Sequence, residues 1–189
     1  MSKVLLIILA ALFTDPVNTV EVLSVEDGDT LTVIEATRAI KVRLACIDAP
    51  EISQSFYGKS AREALKHLLP NGSQVSLRIK PNDRYGRTVA EVFHNGNNIN
   101  KLLVKSGDSF VYWQYINGCD RQDYTRLETM ARLQGSGVWS VPGGIQRPWD
   151  YRQSRQTNVR GKTLLQEETF VLEFRTGTSD ASDDFFGSR

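Results

Sequence analysis

Ile40-Lys41-Val42-Arg43-Leu44-Ala45-Cys46-Ile47-Asp48-Ala49-Pro50-Glu51 is the stretch around which the rest of the chain falls into place. Its first five residues alternate apolar with basic, the period-two pattern of a strand with one buried face, and Lys41 and Arg43 share the other face. The run stays apolar to Ile47 and then stops at a proline turn flanked by two carboxylates, Asp48 and Glu51. The plain account is a strand that ends in a polar turn, with proline as breaker and Glu51 as a helix-entry acid. The alternative is a strand that delivers two acids and an arginine to one edge, and the neighbouring segments decide between them.

Upstream, Val20–Val25 and Thr30–Ile34 are strand candidates, the second rich in β-branched residues, and Asp27-Gly28 between them is a hairpin turn signal. Downstream, Ala61, Ala64, Leu65, Leu68 and Leu69 recur at helical spacing, so Ser55–Leu69 is expected to be a helix ended by Pro70-Asn71-Gly72. Strands follow at Val75–Lys80 and Val89–His94, joined by the polar segment Pro81–Arg87. Asn98 is placed to cap a short helix carrying Ile99, Leu102, Leu103 and Val104 and stopped at Gly107. Phe110–Trp113 reads as extended. A last helix is expected from Asp123 to Gln134, with Leu127, Met130, Ala131 and Leu133 as its apolar positions. Five short strands with one helix between the third and fourth match an OB-type Greek-key barrel, an α+β fold that is mainly β with about three helices.

The 189 residues suffice for one domain with a real core plus appendages. With 23 basic and 22 acidic residues the net charge is +1, so no bulk basic field marks a tight, sequence-independent nucleic-acid binder. That balance weighs less against an enzyme that must release a polyanion after each turnover. Lys3 precedes an uncharged apolar run, Val4–Phe13, too short for the roughly 20 residues that span a membrane. A positive start, a short apolar centre and a polar stretch to Thr19 fit a secretory signal peptide, although no Ala-x-Ala triplet precedes Val20, and a buried first strand or helix is the alternative. The segment from Gln153 to Arg189 is polar apart from Phe170–Phe174, and its acidic end, Asp180–Asp184, reads as solvated and disordered.

Three short motifs carry the chemistry. Asp27-Gly28-Asp29-Thr30 puts two carboxylates at a hairpin, Arg43-Leu44 precedes Asp48-Ala49-Pro50-Glu51, and Arg84-Tyr85-Gly86-Arg87 lies in the polar connection before the fifth strand. Each alone is ordinary turn chemistry. In this order, and inside this strand succession, they resemble the staphylococcal nuclease (thermonuclease) family over roughly Val20 to Val141. With the readings of the two ends from their residues, the expected division is a signal peptide over residues 1–19, the thermonuclease-like OB-fold domain that the resemblance implies over 20–150, and a polar, disordered tail over 151–189. The expectation is an exported, monomeric enzyme with no stable protein partner and no membrane association after signal removal, export being read from the N-terminal pattern.

Carried over residue by residue, the resemblance makes Asp29 and Asp48 carboxylate ligands of a catalytic Ca²⁺ and the carbonyl of Ala49 a backbone ligand. A hard cation wants such oxygen donors, and waters and a substrate phosphate would fill the remaining positions. A zinc site does not fit, because His67 and His94 are isolated and neither pairs with a cysteine. Asp27 is expected to shape the turn. Glu51 matches the general base that activates water. Arg43 and Arg87 match the two guanidinium groups that hold the phosphate and meet charge developing in the transition state. Tyr85 matches a residue beside the terminal phosphate, Arg84 an auxiliary phosphate contact, and Trp113 and Tyr115 the aromatics around the nucleotide base, with core packing as their alternative. The implied reaction is Ca²⁺-dependent hydrolysis of DNA and RNA at the 5′ P–O bond, leaving 3′-phosphate ends. The rival is a catalytically weak OB-type module that binds nucleic acid or peptide; such modules typically lose a carboxylate or an arginine that this chain keeps.

Two departures from the staphylococcal pattern stand out. Only Ile52–Phe56 separates Glu51 from Tyr57-Gly58, so the lysine-rich loop found there in that pattern is missing, which bears on substrate affinity. Cys46 and Cys119 are also additions. In an exported chain they would form a disulfide, or else Cys46 stays a buried free thiol.

Overall fold

The computed structural model describes residues 19–81 and 87–157. Residues 1–18 of the expected signal peptide, Arg84, Tyr85 and the Phe170–Phe174 patch lie outside them, while Thr19 opens the first strand. The chain divides into two compact units, 1–145 and 146–189.

In the first unit β1 (Thr19–Val25), β2 (Thr30–Glu35) and β3 (Arg38–Leu44) form an antiparallel meander, with a bulge in β1 between Val22 and Ser24. After α1 (Ser55–Leu68), β5 (Gln74–Lys80) pairs antiparallel with β1, and β6 (Thr88–His94) pairs antiparallel with β5. A parallel pairing of β3 with β6 closes the ring, Arg43 standing opposite Val89. The result is the five-stranded OB-type barrel, an α+β fold. Short β4 (Ile47–Asp48) pairs with β8 (Phe110–Val111), and β7 (Asn97–Asn98) extends β6.

The barrel is filled by the inward residues of the alternating strands, among them Val22, Leu31, Val33, Val42, Val75 and Val92, all fully buried. Burying each such side chain stabilises by about 1.5–3 kcal/mol relative to exposure. Helix α1 contributes Ala61 and Leu65 and places Lys66 and His67 in its last turn, where cations suit the helix dipole. Helix α2 (Ile99–Ser106) is capped as its sequence suggests: the Asn98 side chain accepts from Lys101 N, and Gly107 ends it in the left-handed conformation (φ 79°).

Helix α3 (Arg121–Gln134) begins two residues earlier than its apolar periodicity suggests, because Asp120 caps it by accepting from Asp123 N at 3.1 Å. Its buried face is Tyr124, Leu127, Glu128 and Ala131, whereas Leu133, expected to be apolar core, is 83% exposed. The extended reading of Phe110–Trp113 holds only for the first two residues. Trp113–Tyr115 is a 3-10 turn, tied down by a side chain far along the chain.

In the second unit residues 148–157 are helical, so helix crosses the boundary expected at 150/151. No helix of the described residues is long and apolar enough to cross a membrane.

Candidate active site

The β1–β2 turn sets the first acid. The Asp27 carboxylate accepts the Asp29 N–H at 3.0 Å, so Asp27 serves the turn itself. A Cβ at Gly28 would lie 2.6 Å from Ala61 Cβ and 2.7 Å from Ala49 Cβ, so only glycine lets the turn, α1 and the Asp48–Glu51 turn meet. That approach carries the Asp29 carboxylate to the Ala49 backbone, whose N–H donates to Asp29 Oδ2 at 2.6 Å. The main-chain carbonyl of Asp29 accepts from Leu44 N at 2.8 Å, fixing the turn against the end of β3.

The second acid arrives through a built corner. Between β3 and β4, Cys46 takes a left-handed conformation (φ 67°), unusual for a residue with a Cβ. Three contacts hold it there. Its carbonyl accepts from Tyr112 N at 2.9 Å, and its sulfur is bonded to Cys119, 73 residues on. The adjoining Ala45 carbonyl accepts from Asn100 Nδ2 at 2.9 Å. Asn100 is fully buried and spans the seam where β3 and β6 meet, also donating to Ala90 O at 3.2 Å and accepting from Val92 N at 2.9 Å. Asp48 leaves this corner with no exposed surface.

Arg43 joins the two acids. Thr30, directly after Asp29, is its partner across the β2–β3 ladder. Its guanidinium contacts Asp29 Oδ1 through Nη1 and donates to Asp48 Oδ1 through Nη2 at 2.5 Å. Two buried carboxylates against one guanidinium leave the trio one formal charge negative. Removing the guanidinium would leave both acids without it, and breaking a buried pair in this way typically costs about 3–5 kcal/mol.

Glu51 is half-buried three residues beyond Asp48. Its carbonyl accepts from Gln54 N at 2.7 Å and its N–H donates to Gln54 Oε1 at 3.3 Å. Gly58 in α1 packs so closely that a Cβ there would fall 1.8 Å from Glu51 O. The half-buried Arg87 stands one residue before β6. Continuing the strand alternation back from Val89 puts it on the face that carries Arg43.

A family model described as "Staphylococcal nuclease homologue" matches residues 41–141. The chain belongs to the staphylococcal nuclease family. It is 38% identical over 143 residues to a Haemophilus influenzae protein called an uncharacterized endonuclease, covering 75% of this chain and 77% of that one. It is 39% identical over 143 residues to a Shigella flexneri micrococcal nuclease, covering 71% and 80%. A rice protein described as a probable staphylococcal-like nuclease is 31% identical over 140 residues, 74% of this chain but 35% of that protein.

Two further elements of this staphylococcal nuclease-type barrel flank the acids. Through the β4–β8 pair, Asp48 stands opposite Phe110, and the chain then runs past Cys46 to Trp113 and Tyr115, which are 37% and 52% exposed. Neither is a core residue. Away from the acids, buried Glu91 accepts from Asn98 Nδ2 at 2.9 Å and Tyr124 Oη at 3.2 Å and pairs with Lys80 at 3.1 Å. Burial, first, and the Glu91 charge push the Tyr124 hydroxyl far above its ordinary range, so it stays a donor. Gly58, Asn100 and Glu128 support the site without belonging to any of the three motifs, and Gly28, inside the first motif, does so by the close approach it allows. For Glu128 the available signal was a charge at helical spacing from Tyr124 and Leu127, on the buried side of α3.

Proposed function

We propose that this chain is a Ca²⁺-dependent nuclease of the staphylococcal type, hydrolysing phosphodiester bonds of DNA and RNA at the 5′ P–O bond to leave 3′-phosphate ends. The nuclease class rests on family membership and on relatives named endonuclease and micrococcal nuclease. The observation that carries the finer reading is the convergence of Asp29 and Asp48 on Arg43, at a turn whose fourth residue is Glu51.

The donor set fits a hard divalent cation. Asp29, Asp48 and the Ala49 carbonyl offer only oxygen, the donor such a cation takes. Ca²⁺ bound there would supply Lewis-acid neutralisation of the phosphate and of charge developing on it.

The remaining roles belong to the protein. Glu51 accepts a proton from the attacking water, with Gln54 and Gly58 fixing its backbone. Arg43 and Arg87 hold the phosphate oxygens with fork-shaped donors, which lysine would match poorly. One such donor contributes about 10²–10³ in rate. Trp113 and Tyr115 stack on bases of an unpaired strand, a sequence-tolerant contact. Tyr85 and Arg84 are assigned to the terminal phosphate and an auxiliary phosphate contact by resemblance alone. Export is part of the same proposal, supported by the apolar run after Lys3 and by the Cys46–Cys119 disulfide, and a monomeric state is proposed with it.

The test is cleavage of single-stranded DNA and RNA by the purified chain with millimolar Ca²⁺ and with EGTA, beside Glu51→Ala and Arg87→Ala. Activity abolished by EGTA and by either substitution supports the proposal. No cleavage with Ca²⁺, or unchanged rates in both variants, rejects it.

A further inference from the structure

Glu128 lies on α3 and is 8% exposed, yet both its carboxylate oxygens serve one distant segment. Oε1 accepts the Val111 N–H at 3.0 Å, and Oε2 accepts the Trp113 indole N–H at 3.1 Å. Hydrogen bonds to an ionised acceptor are roughly twice as strong as neutral ones, and a buried carboxylate needs such donors. The consequence is local. A tryptophan that is 37% exposed has its polar edge locked from inside, so its ring is presented in one orientation. The Arg121 guanidinium lies 5.7 Å over the same ring, and the half-exposed Tyr115 packs edge-on against Tyr112 at 4.7 Å. The anchor also reaches toward the acids, because Val111 belongs to β8, whose Phe110 stands opposite Asp48.

Core packing does not call for an exposed ring held by a buried charge. An aromatic face beside a guanidinium does suit an unpaired base and the phosphate attached to it. We infer that Trp113, Tyr115 and Arg121 form a subsite for one unpaired base and its phosphate, with Arg121 as the phosphate contact and Glu128 as the positioning residue that aims Trp113. The inference rests on the nuclease reading for its substrate. Its new content is Arg121 and Glu128.

Because Glu128 Oε2 acts through Trp113, losing that bond alone should be felt in substrate binding and not in the chemical step, provided the Val111 N–H keeps its acceptor. The test measures binding of a short fluorescent single-stranded oligodeoxynucleotide in EDTA, and KM and kcat with Ca²⁺, on the full chain. Trp113→Ala should weaken binding about tenfold or more. Glu128→Gln keeps one strong acceptor at most; it should raise KM several-fold with kcat unchanged and add nothing in the Trp113→Ala background. Trp113→Phe keeps a ring but removes the donor, and should match Glu128→Gln even where the latter folds poorly. Arg121→Gln should lower the slope of log affinity against log salt by about 0.7, the loss of one phosphate contact on a single strand.

Wild-type binding and KM in Trp113→Ala overturn the subsite, while a wild type that cleaves normally leaves the nuclease reading intact. An equal effect of Glu128→Gln with and without Trp113, or an unchanged salt slope in Arg121→Gln, overturns the role given to that residue. A wild type that binds the strand in EDTA through Trp113 but cuts nothing rejects the nuclease reading and supports the subsite.

Discussion

Gly58→Ala separates helix propensity from site geometry, because the two give opposite answers. Within a helix, alanine is favoured over glycine by roughly 0.5–1 kcal/mol, so propensity alone predicts a more stable protein. The structure predicts damage. The new Cβ would sit 1.8 Å from Glu51 O, 2.5 Å from Glu51 C and 2.8 Å from Ile52 Cα. All three are backbone atoms, so no side chain can swing aside. Bringing the closest contact to the shortest tolerable separation, 3.0 Å, requires a shift of at least 1.2 Å (3.0 minus 1.8) between α1 and the Glu51 turn. Overpacking of this kind typically costs about 1–3 kcal/mol, which offsets or exceeds the propensity gain. The catalytic consequence is larger, since misplacing a reacting group by about 1 Å can cost on the order of 10²-fold in rate. Steady-state cleavage of single-stranded DNA with Ca²⁺, alongside thermal unfolding, measures both. A variant that is more stable than wild type and within twofold of its kcat refutes the argument.

Arg43→Ala leaves Asp29 and Asp48 buried without their shared guanidinium; it should destabilise the metal-free protein by about 3–5 kcal/mol, with part of the loss restored by millimolar Ca²⁺ in thermal unfolding. Reducing the Cys46–Cys119 disulfide, which closes a loop of 73 residues, should lower stability by about 4 kcal/mol, seen as a lower Tm with a phosphine reductant. Free thiols at both positions in native material, by mass spectrometry, would contradict the bond. Burial raises the Asp108 carboxyl above its ordinary 3.8, more than the Ser106 hydroxyl lowers it. The folded state therefore holds this proton more tightly, and the group's contribution falls as pH rises from about 4 through the folded value. Asp108→Asn should accordingly be more stable than wild type at pH 7, with the difference closing below pH 4.

Much of the fold was legible because its signals are local. Asp27-Gly28 announces the hairpin, the Ala61–Leu65–Leu68 spacing announces α1, and Asn98 and Gly107 bracket α2. What escaped depends on contacts between distant residues. Nothing in Val42 or Thr88 says that β3 and β6 pair in parallel, and the Trp113–Tyr115 turn takes its form from Glu128. Helix α3 starts early because Asp120 caps it, a cue hidden by the polar residues before Tyr124. At the site, the motifs name Asp29, Arg43, Asp48 and Glu51, but their meeting is made by residues with no chemical signature. Gly28 and Gly58 permit the close approaches, and Asn100 braces the corner before Asp48.

We propose that the Asp29–Asp48–Arg43 cluster, with Glu51 and Arg87, makes a metal-dependent phosphodiesterase. The rate of single-stranded DNA cleavage with millimolar Ca²⁺ against EGTA, in wild type and in Asp48→Asn, tests it most directly. Wild type should cleave rapidly with Ca²⁺ and not at all in EGTA, and Asp48→Asn should lose at least about 10²-fold. Equal rates with and without the chelator, or a fully active Asp48→Asn, would contradict it.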